Sequence, residues 1–173
     1  ELQGVQRTLE ILERTDVALF VLDVKQGITA QDKHLAGVLA EAGVSVIIVA
    51  NKWDLVEDKT PTMINQVEKY IASLLPHLKY APMVFVSALS GLRTKTLFDA
   101  IDAVFAARFI HLPDAETKAF ISRLIVKHRP SRGKGVKHPR IVSFFQCATN
   151  PPTFMLKVNL SRKDSLADSY LRF

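Results

Sequence analysis

Runs of apolar residues, broken by polar clusters, divide this chain into elements. Val44-Ser45-Val46-Ile47-Ile48-Val49-Ala50 is apolar except at Ser45 and β-branched at five of seven places, the pattern of a parallel strand buried on both faces. Val17 to Asp23 and Met83 to Ser87 predict two more strands of the same type. Helices are predicted between them. Val5, Leu9 and Leu12 recur at i, i+4 and i+7, which calls for a short amphipathic helix ending near Thr15. Thr29 is placed to cap a helix running to Ala42, with Asp32 at its third position and Gly43 ending it in a left-handed conformation. Thr60-Pro61 reads as a cap followed by proline at the first helical position, so a helix is predicted from Pro61 to about Leu75, closed by Pro76. Thr94 is expected to cap a helix with Leu97, Ile101, Val104 and Phe105 on one face. Strands alternating with helices in this way imply parallel pairing through right-handed crossovers.

Beyond about Arg108 the pattern changes. Phe109-Ile110-His111-Leu112 reads as a short strand, and Asp114 as the cap of a helix with Phe120, Leu124 and Ile125 on one side. Pro130 to Gly135 is a basic loop. Strands Arg140 to Ala148 and Thr153 to Asn159 follow, joined by Asn150-Pro151-Pro152, which cannot continue a ladder, and a final helix begins at Ser161 or Asp164. The expectation is therefore an α/β portion over residues 1–107 and a small α+β unit over 108–173.

Charge divides at the same place. Residues 1–107 hold 10 Lys or Arg against 13 Asp or Glu, and residues 108–173 hold 13 against 4, so the net +6 is −3 followed by +9. So basic a second part is the footprint of a surface that meets phosphate backbone, the alternative being a solvated face kept for solubility. No apolar stretch reaches the length that spans a bilayer, and nothing at the start reads as a signal peptide. The lone Cys147 can form no internal disulfide, which fits a reducing, cytoplasmic setting; within a strand and without a His partner, it is expected to be an inert buried thiol. The chain begins at Glu1 without a methionine and so reads as a fragment.

The candidate chemistry lies where the central strand stops, at Asn51-Lys52-Trp53-Asp54. In open α/β sheets ligands sit beyond the carboxyl ends of the strands. A carboxylate there, Asp54, can accept from both the ring N–H and the exocyclic amino group of guanine, whereas adenine would leave it unpaired. The Lys52 stem can lie over the purine face, and the Asn51 amide can serve the base edge and neighbouring backbone. Trp53 is expected to pack and shape the loop, or to line the purine's rim. Ser87, Ala88 and Leu89 end the third strand at the same sheet edge, where a backbone N–H can donate to guanine O6.

These residues resemble the fourth and fifth nucleotide-binding motifs of translation-factor-like GTPases, Asn-Lys-x-Asp and Ser-Ala. More closely, the chain is similar to the second GTPase domain of the Der (EngA) family of bacterial ribosome-assembly GTPases, with its trailing KH-like domain. Asp16 to Asp23, Gly27 to Asp32, Asn51 to Val56, Val86 to Gly91 and Pro151 to Phe154 carry the resemblance in the family's order. It implies a partial parallel-sheet P-loop GTPase domain, GTP or GDP with Mg2+ in the full-length parent, and the large ribosomal subunit, its rRNA and an upstream GTPase domain as partners. Two other readings stand beside it: a non-enzymatic RNA-binding scaffold with a degenerate GTPase fold, and an Era-type GTPase with a working KH domain.

Two departures from the family pattern carry consequences. A glycine-rich phosphate loop ending in Lys-Ser or Lys-Thr, which would hold the phosphates and Mg2+, is not in the sequence. By comparison with the family, Glu1 is expected to follow the second switch. No residue here is a candidate for catalysis or for a metal: His34, His77, His111, His128 and His138 show no metal-ligand spacing, and Asp23 reads as a loop carboxylate near the nucleotide edge. RNA-binding KH domains clamp the backbone with Gly-x-x-Gly, whereas here only one residue separates Gly133 from Gly135. Electrostatic docking on ribosomal RNA through Arg129, Arg132, Lys134, Lys137 and Arg140 is expected instead. On these 173 residues alone no bound cofactor is expected: they should bind GTP too weakly for calorimetry to measure and hydrolyse none, and micromolar GTP binding would contradict this.

Overall fold

A computed structural model of the chain describes residues 10–57, 59–127 and 140–159. The elements are β1 (Val17–Asp23), α1 (Ala30–Glu41), β2 (Ser45–Asn51), α2 (Pro61–Leu74), β3 (Met83–Phe85), α3 (Thr94–Ala107), α4 (Asp114–Lys127), β4 (Arg140–Ala148) and β5 (Thr153–Asn159), with 3-10 turns at Trp53–Leu55 and Pro76–Leu78. They form two compact units, Glu1–Ala107 and Arg108–Phe173.

The first unit is built on a three-stranded sheet of order β1-β2-β3, parallel throughout. β2 lies in the middle because its side chains are apolar in both directions. Val46 and Ile48 pack with Phe20, Leu22, Ala36, Leu39 and Ile71 on the face covered by α1 and α2. Ile47 and Val49 pack with Val84, Val86, Leu97, Ile101 and Val104 on the face covered by α3. The caps explain where the helices start. Thr29 Oγ1 accepts from the Asp32 N–H at 3.2 Å while Asp32 Oδ2 accepts from the Thr29 N–H at 2.8 Å, a reciprocal capping box. Thr60 Oγ1 likewise accepts from the Met63 N–H, with Pro61 in the first turn. Gly43 takes φ +66 directly after α1.

Several expectations are corrected. Thr94 does not cap α3 but is its first residue, and its hydroxyl donates to the Gly91 carbonyl at 3.0 Å. The reversal before the helix is made instead by Gly91 at φ +73 and Arg93 at φ +57. Phe105 is 43% exposed, because Leu97, Ile101 and Val104 already fill the strip facing the sheet. On β1, Leu19 and Val21 are exposed although they share a face with Val17, since α3 packs mainly over β2. The predicted opening helix is described only from Glu10, where a helical turn closes at Leu12 and Thr15 Oγ1 donates to the Ile11 carbonyl.

In the second unit α4 packs on an antiparallel hairpin of β4 and β5. Residues 109–112 are not a strand. A single side chain does the work of a ladder there: Gln146, only 6% exposed, accepts from the Leu112 N–H at 2.8 Å and donates to the carbonyls of Ile110 and Ala148 at 3.0 Å. α4 begins at Asp114 itself, with the Pro113 carbonyl accepting its first N–H groups, so Asp114 lies in the first turn rather than at the cap. The inward position is Thr117, 1% exposed, whereas Phe120 is half exposed and meets Phe144 at 6.1 Å between centroids. Cys147 is exposed, not buried. The ladder shifts register between Gln146 and Ala148, so Cys147 is the extra residue with no cross-strand partner there. The loop Pro130 to Gly135 and the final helix lie outside the described residues.

Gln146→Leu removes both partners of the 110–112 segment at nearly constant volume. It should cost the second unit about 1–3 kcal/mol, with amide hydrogen exchange accelerating at Leu112 and along β4 but not in β2. Unchanged protection at Leu112 would contradict this account.

Candidate functional site

Parallel register brings the tips of the strands to one edge. Asp23 is the partner of Asn51 at the ends of β1 and β2, and the third strand arrives beside them through the Val86 N–H, which donates to the Ala50 carbonyl at 3.0 Å. Lys52 then reverses the chain at φ +63. Trp53 follows and is fully buried, packed on Phe85 at 4.4 Å between centroids, with its main-chain N–H donating to the Val86 carbonyl at 3.0 Å. A buried aromatic between two polar residues holds the loop like a peg, leaving Lys52 exposed and Asp54 partly so. Trp53 is thus a packing residue, and its Nε1 has no hydrogen-bond partner among the described residues.

Asn51 Oδ1 accepts from the Ala88 N–H at 3.0 Å, tying the loop after β2 to the loop after β3. Ser87 is fully buried; its N–H donates to the Leu92 carbonyl at 3.1 Å and its Oγ accepts from the Ser90 N–H at 3.2 Å. The structure therefore brings Asn51, Lys52, Asp54, Ser87, Ala88 and Leu89 to the same end of the sheet, with one change of detail. The Ser87 and Ala88 N–H groups are already engaged within the protein. The outward group at this turn is Leu89, 92% exposed, whose N–H makes no bond among the described residues. The carboxylate of Asp54 has no partner among the described residues either, and only its main-chain carbonyl is used, by Lys59 Nζ at 3.3 Å.

One interaction was not legible from the motif alone. Lys52 Nζ pairs with Asp23 Oδ2 at 2.5 Å, while Asp23 Oδ1 accepts from the N–H groups of Lys25 at 2.9 Å and Gln26 at 3.3 Å. The signal in the sequence was positional: β1 and β2 both have seven residues and end in a polar residue, so equal register sets Asp23 beside the loop that starts at Lys52. The Lys52 hydrogen bond, and after it the Lys25 N–H, hold the Asp23 carboxyl below its ordinary value of 3.8. A cavity of about 590 Å3 lies next to this pair, lined mostly by apolar groups such as Trp53, Val67 and Ile71, but Asn51, Asp54, Ala88 and Leu89 do not line it.

Among the described residues no group of three or more His, Cys, Asp or Glu could hold a metal ion, and no helix is long and apolar enough to cross a membrane. Of the basic residues expected to meet RNA, Arg129, Arg132, Lys134 and Lys137 lie outside the described residues, as do His128, His138 and the two glycines of that loop; Arg140 opens β4.

Comparison with known proteins gives three findings. The family described as the elongation factor Tu GTP binding domain matches residues 5–107. "GTPase Der" of Synechococcus sp. (strain JA-2-3B'a(2-13)) is 36% identical over all 173 residues, which cover 37% of that protein; the chain spans a little over a third of the length of the curated relatives it matches. Among solved structures, translation elongation factor SelB from Methanococcus maripaludis in its apo form shares the fold at a TM-score of 0.52, with 23% identity over 59% of this chain and 22% of that one. Era in complex with MgGDPNP and nucleotides 1506–1542 of 16S ribosomal RNA does so at 0.51, with 19% identity over 92% of this chain and 56% of that one.

A group whose folded pKa is depressed stabilises above its unfolded value and loses that contribution as pH falls through the folded value. The Asp23 carboxyl should accordingly reach half-protonation, and the pair with Lys52 weaken, with a midpoint below 3.8. The Asp23 carboxyl carbon followed by NMR checks this, and a midpoint at or above 3.8 would contradict it.

Proposed function

Because the chain belongs to the family of the elongation factor Tu GTP-binding domain and is similar along its whole length to proteins named GTPase Der, we propose that residues 1–107 supply the guanine-reading half of a GTP site. The observation that carries this is the Asn51 to Ala88 bond, which joins the two base-reading loops at one sheet edge, with the Asp54 carboxylate beside them making no bond among the described residues.

The base chemistry follows from donors and acceptors. An ionised carboxylate only accepts, so Asp54 pairs with the ring N–H and the amino group of guanine. Adenine offers neither in that arrangement. Guanine O6 takes its hydrogen bond from Leu89, whose N–H is the uncommitted one, or shares the Ala88 N–H with Asn51. The Lys52 stem and the Leu89 side chain supply apolar surface for the two faces of the ring.

GTP or GDP with Mg2+ is the cofactor of a GTPase, and the fit of this chain to it is partial. Asn51, Lys52, Asp54 and Leu89 suit the base, whereas neither a glycine-rich loop in the sequence nor a carboxylate cluster among the described residues suits the triphosphate and its metal. When bound, the metal supplies charge neutralisation at the phosphates. This chain's own part is to select and orient the base. We further propose that residues 108–173 form a KH-like module, that its +9 charge docks on ribosomal RNA, and that the parent acts as a cytoplasmic GTPase in large-subunit assembly. The charge division and the likeness to GTPase Der support this reading.

Asp54→Asn keeps one acceptor oxygen and replaces the other with a donor. It should weaken guanine nucleotide binding about tenfold or more and favour xanthine, which presents an oxygen in place of the amino group. Nucleotide titrations of variant and wild type check the exchange; equal preference for guanine in both would refute the assignment. Neutralising Arg129, Arg132, Lys134, Lys137 and Arg140 together should lower affinity for ribosomal RNA. It should also flatten the dependence of log K on log salt, by about 0.7–0.9 for each phosphate no longer neutralised. An unchanged slope would remove these residues from the interface.

A further inference from the structure

We infer that Asp23 is a positioning residue for the guanine site, holding the Lys52 side chain across the mouth between β1 and β2 so that its stem offers a flat apolar face to the purine. The inference rests on the guanine reading above and adds to it a residue outside both base-reading loops.

A lysine stem turns about four bonds, and an exposed one samples many rotamers. Lys52 is half exposed, with 53% of its side chain accessible. Its two ends are nevertheless held. The main chain is fixed at φ +63 between Asn51, bonded to Ala88, and Trp53, buried on Phe85. The ammonium is fixed on Asp23 Oδ2. Asp23 is itself held, since Oδ1 accepts two N–H groups of the turn that follows β1 and only Oδ2 faces the lysine. The carboxylate thus splits its work: one oxygen closes the turn, and the other aims the lysine. Register makes this possible, because Asp23 and Asn51 are partners at equal height on adjacent parallel strands.

Such a residue governs how well any similar purine is gripped and not which one. Guanine and hypoxanthine share the ring N–H and O6 and differ in the amino group that Asp54 reads. Loss of the Asp23 pair should weaken both alike. Loss of Asp54 should change their ratio.

Asp23→Asn separates the two oxygens' roles. The amide keeps an acceptor for Lys25 and Gln26 but turns a donor toward the ammonium. The test titrates the 15N-labelled 173-residue chain with GMP and with IMP to tens of millimolar, following the amides of 51–54 and 87–89. Wild type, Asp23→Asn, Lys52→Met and the double variant are compared. Each single change should weaken GMP and IMP about threefold to tenfold, and the double variant should be no weaker than the weaker single one. The GMP to IMP ratio should not move. A second measurement, needing no variant, is the exchange of the Lys52 Nζ protons, which should be slower than that of an exposed lysine such as Lys33. Binding by Asp23→Asn equal to wild type, multiplying losses in the double variant, or Lys52 exchange as fast as Lys33 each overturns the inference and leaves the guanine reading standing. No response of the wild type to GMP overturns both.

Discussion

The packing of Trp53 is the constraint on which the site depends. A strand that ends in polar residues could let them sample many directions. Here the chain drives an indole into the core one residue after Lys52 and one before Asp54, against Phe85 of the neighbouring strand. Burying so large a side chain fixes the backbone on both sides of it, and the left-handed turn at Lys52 is the conformation that lets the loop return to the core at once. The cost is visible too: the Trp53 Nε1 is buried and finds no partner among the described residues. A polar atom left in this way is destabilising by an amount of order 1–3 kcal/mol, small beside the apolar surface that the ring removes from water.

The second tie, from Asn51 to Ala88, turns two loops into one rigid edge. Its physical effect is twofold. It orders the polar groups at the ends of the strands in the absence of any ligand, which lowers the ordering cost of the base binding proposed above. It also commits the Ala88 N–H, so that among the described residues the next N–H of this turn, at Leu89, is the one without a bond. Ser87 supports this from within, with both its N–H and its hydroxyl used to close the turn to residues 90–92.

The second unit rests on a different device. Where a further strand is expected at residues 109–112, a buried glutamine takes the hydrogen bonds of that segment. One side chain with a donor and an acceptor can satisfy a short extended stretch as completely as a ladder does. Next to it the ladder shifts register, which leaves Cys147 unpaired across the hairpin and its thiol exposed.

What could be read from the residues was whatever depends on local chemistry and period. β1, β4 and β5 fall at their expected ends, and α1 and α2 begin directly after their caps Thr29 and Thr60, because apolar runs and cap side chains act within a few residues of themselves. That Asn51, Lys52, Asp54 and the Ser87 to Leu89 turn share one sheet edge was legible because parallel strands must end on the same side. What was not legible turned on partners far away in the chain. The start of α3 was set by left-handed residues before it, the exposure of Phe105 by side chains that had already filled the sheet face, and the 109–112 segment by Gln146. The link from Asp23 to Lys52 belongs with these: each residue alone is an ordinary surface charge, and only the register of two parallel strands sets the carboxylate within reach of the ammonium. Local pattern determines which groups a segment offers, and tertiary structure determines which of them are already spent.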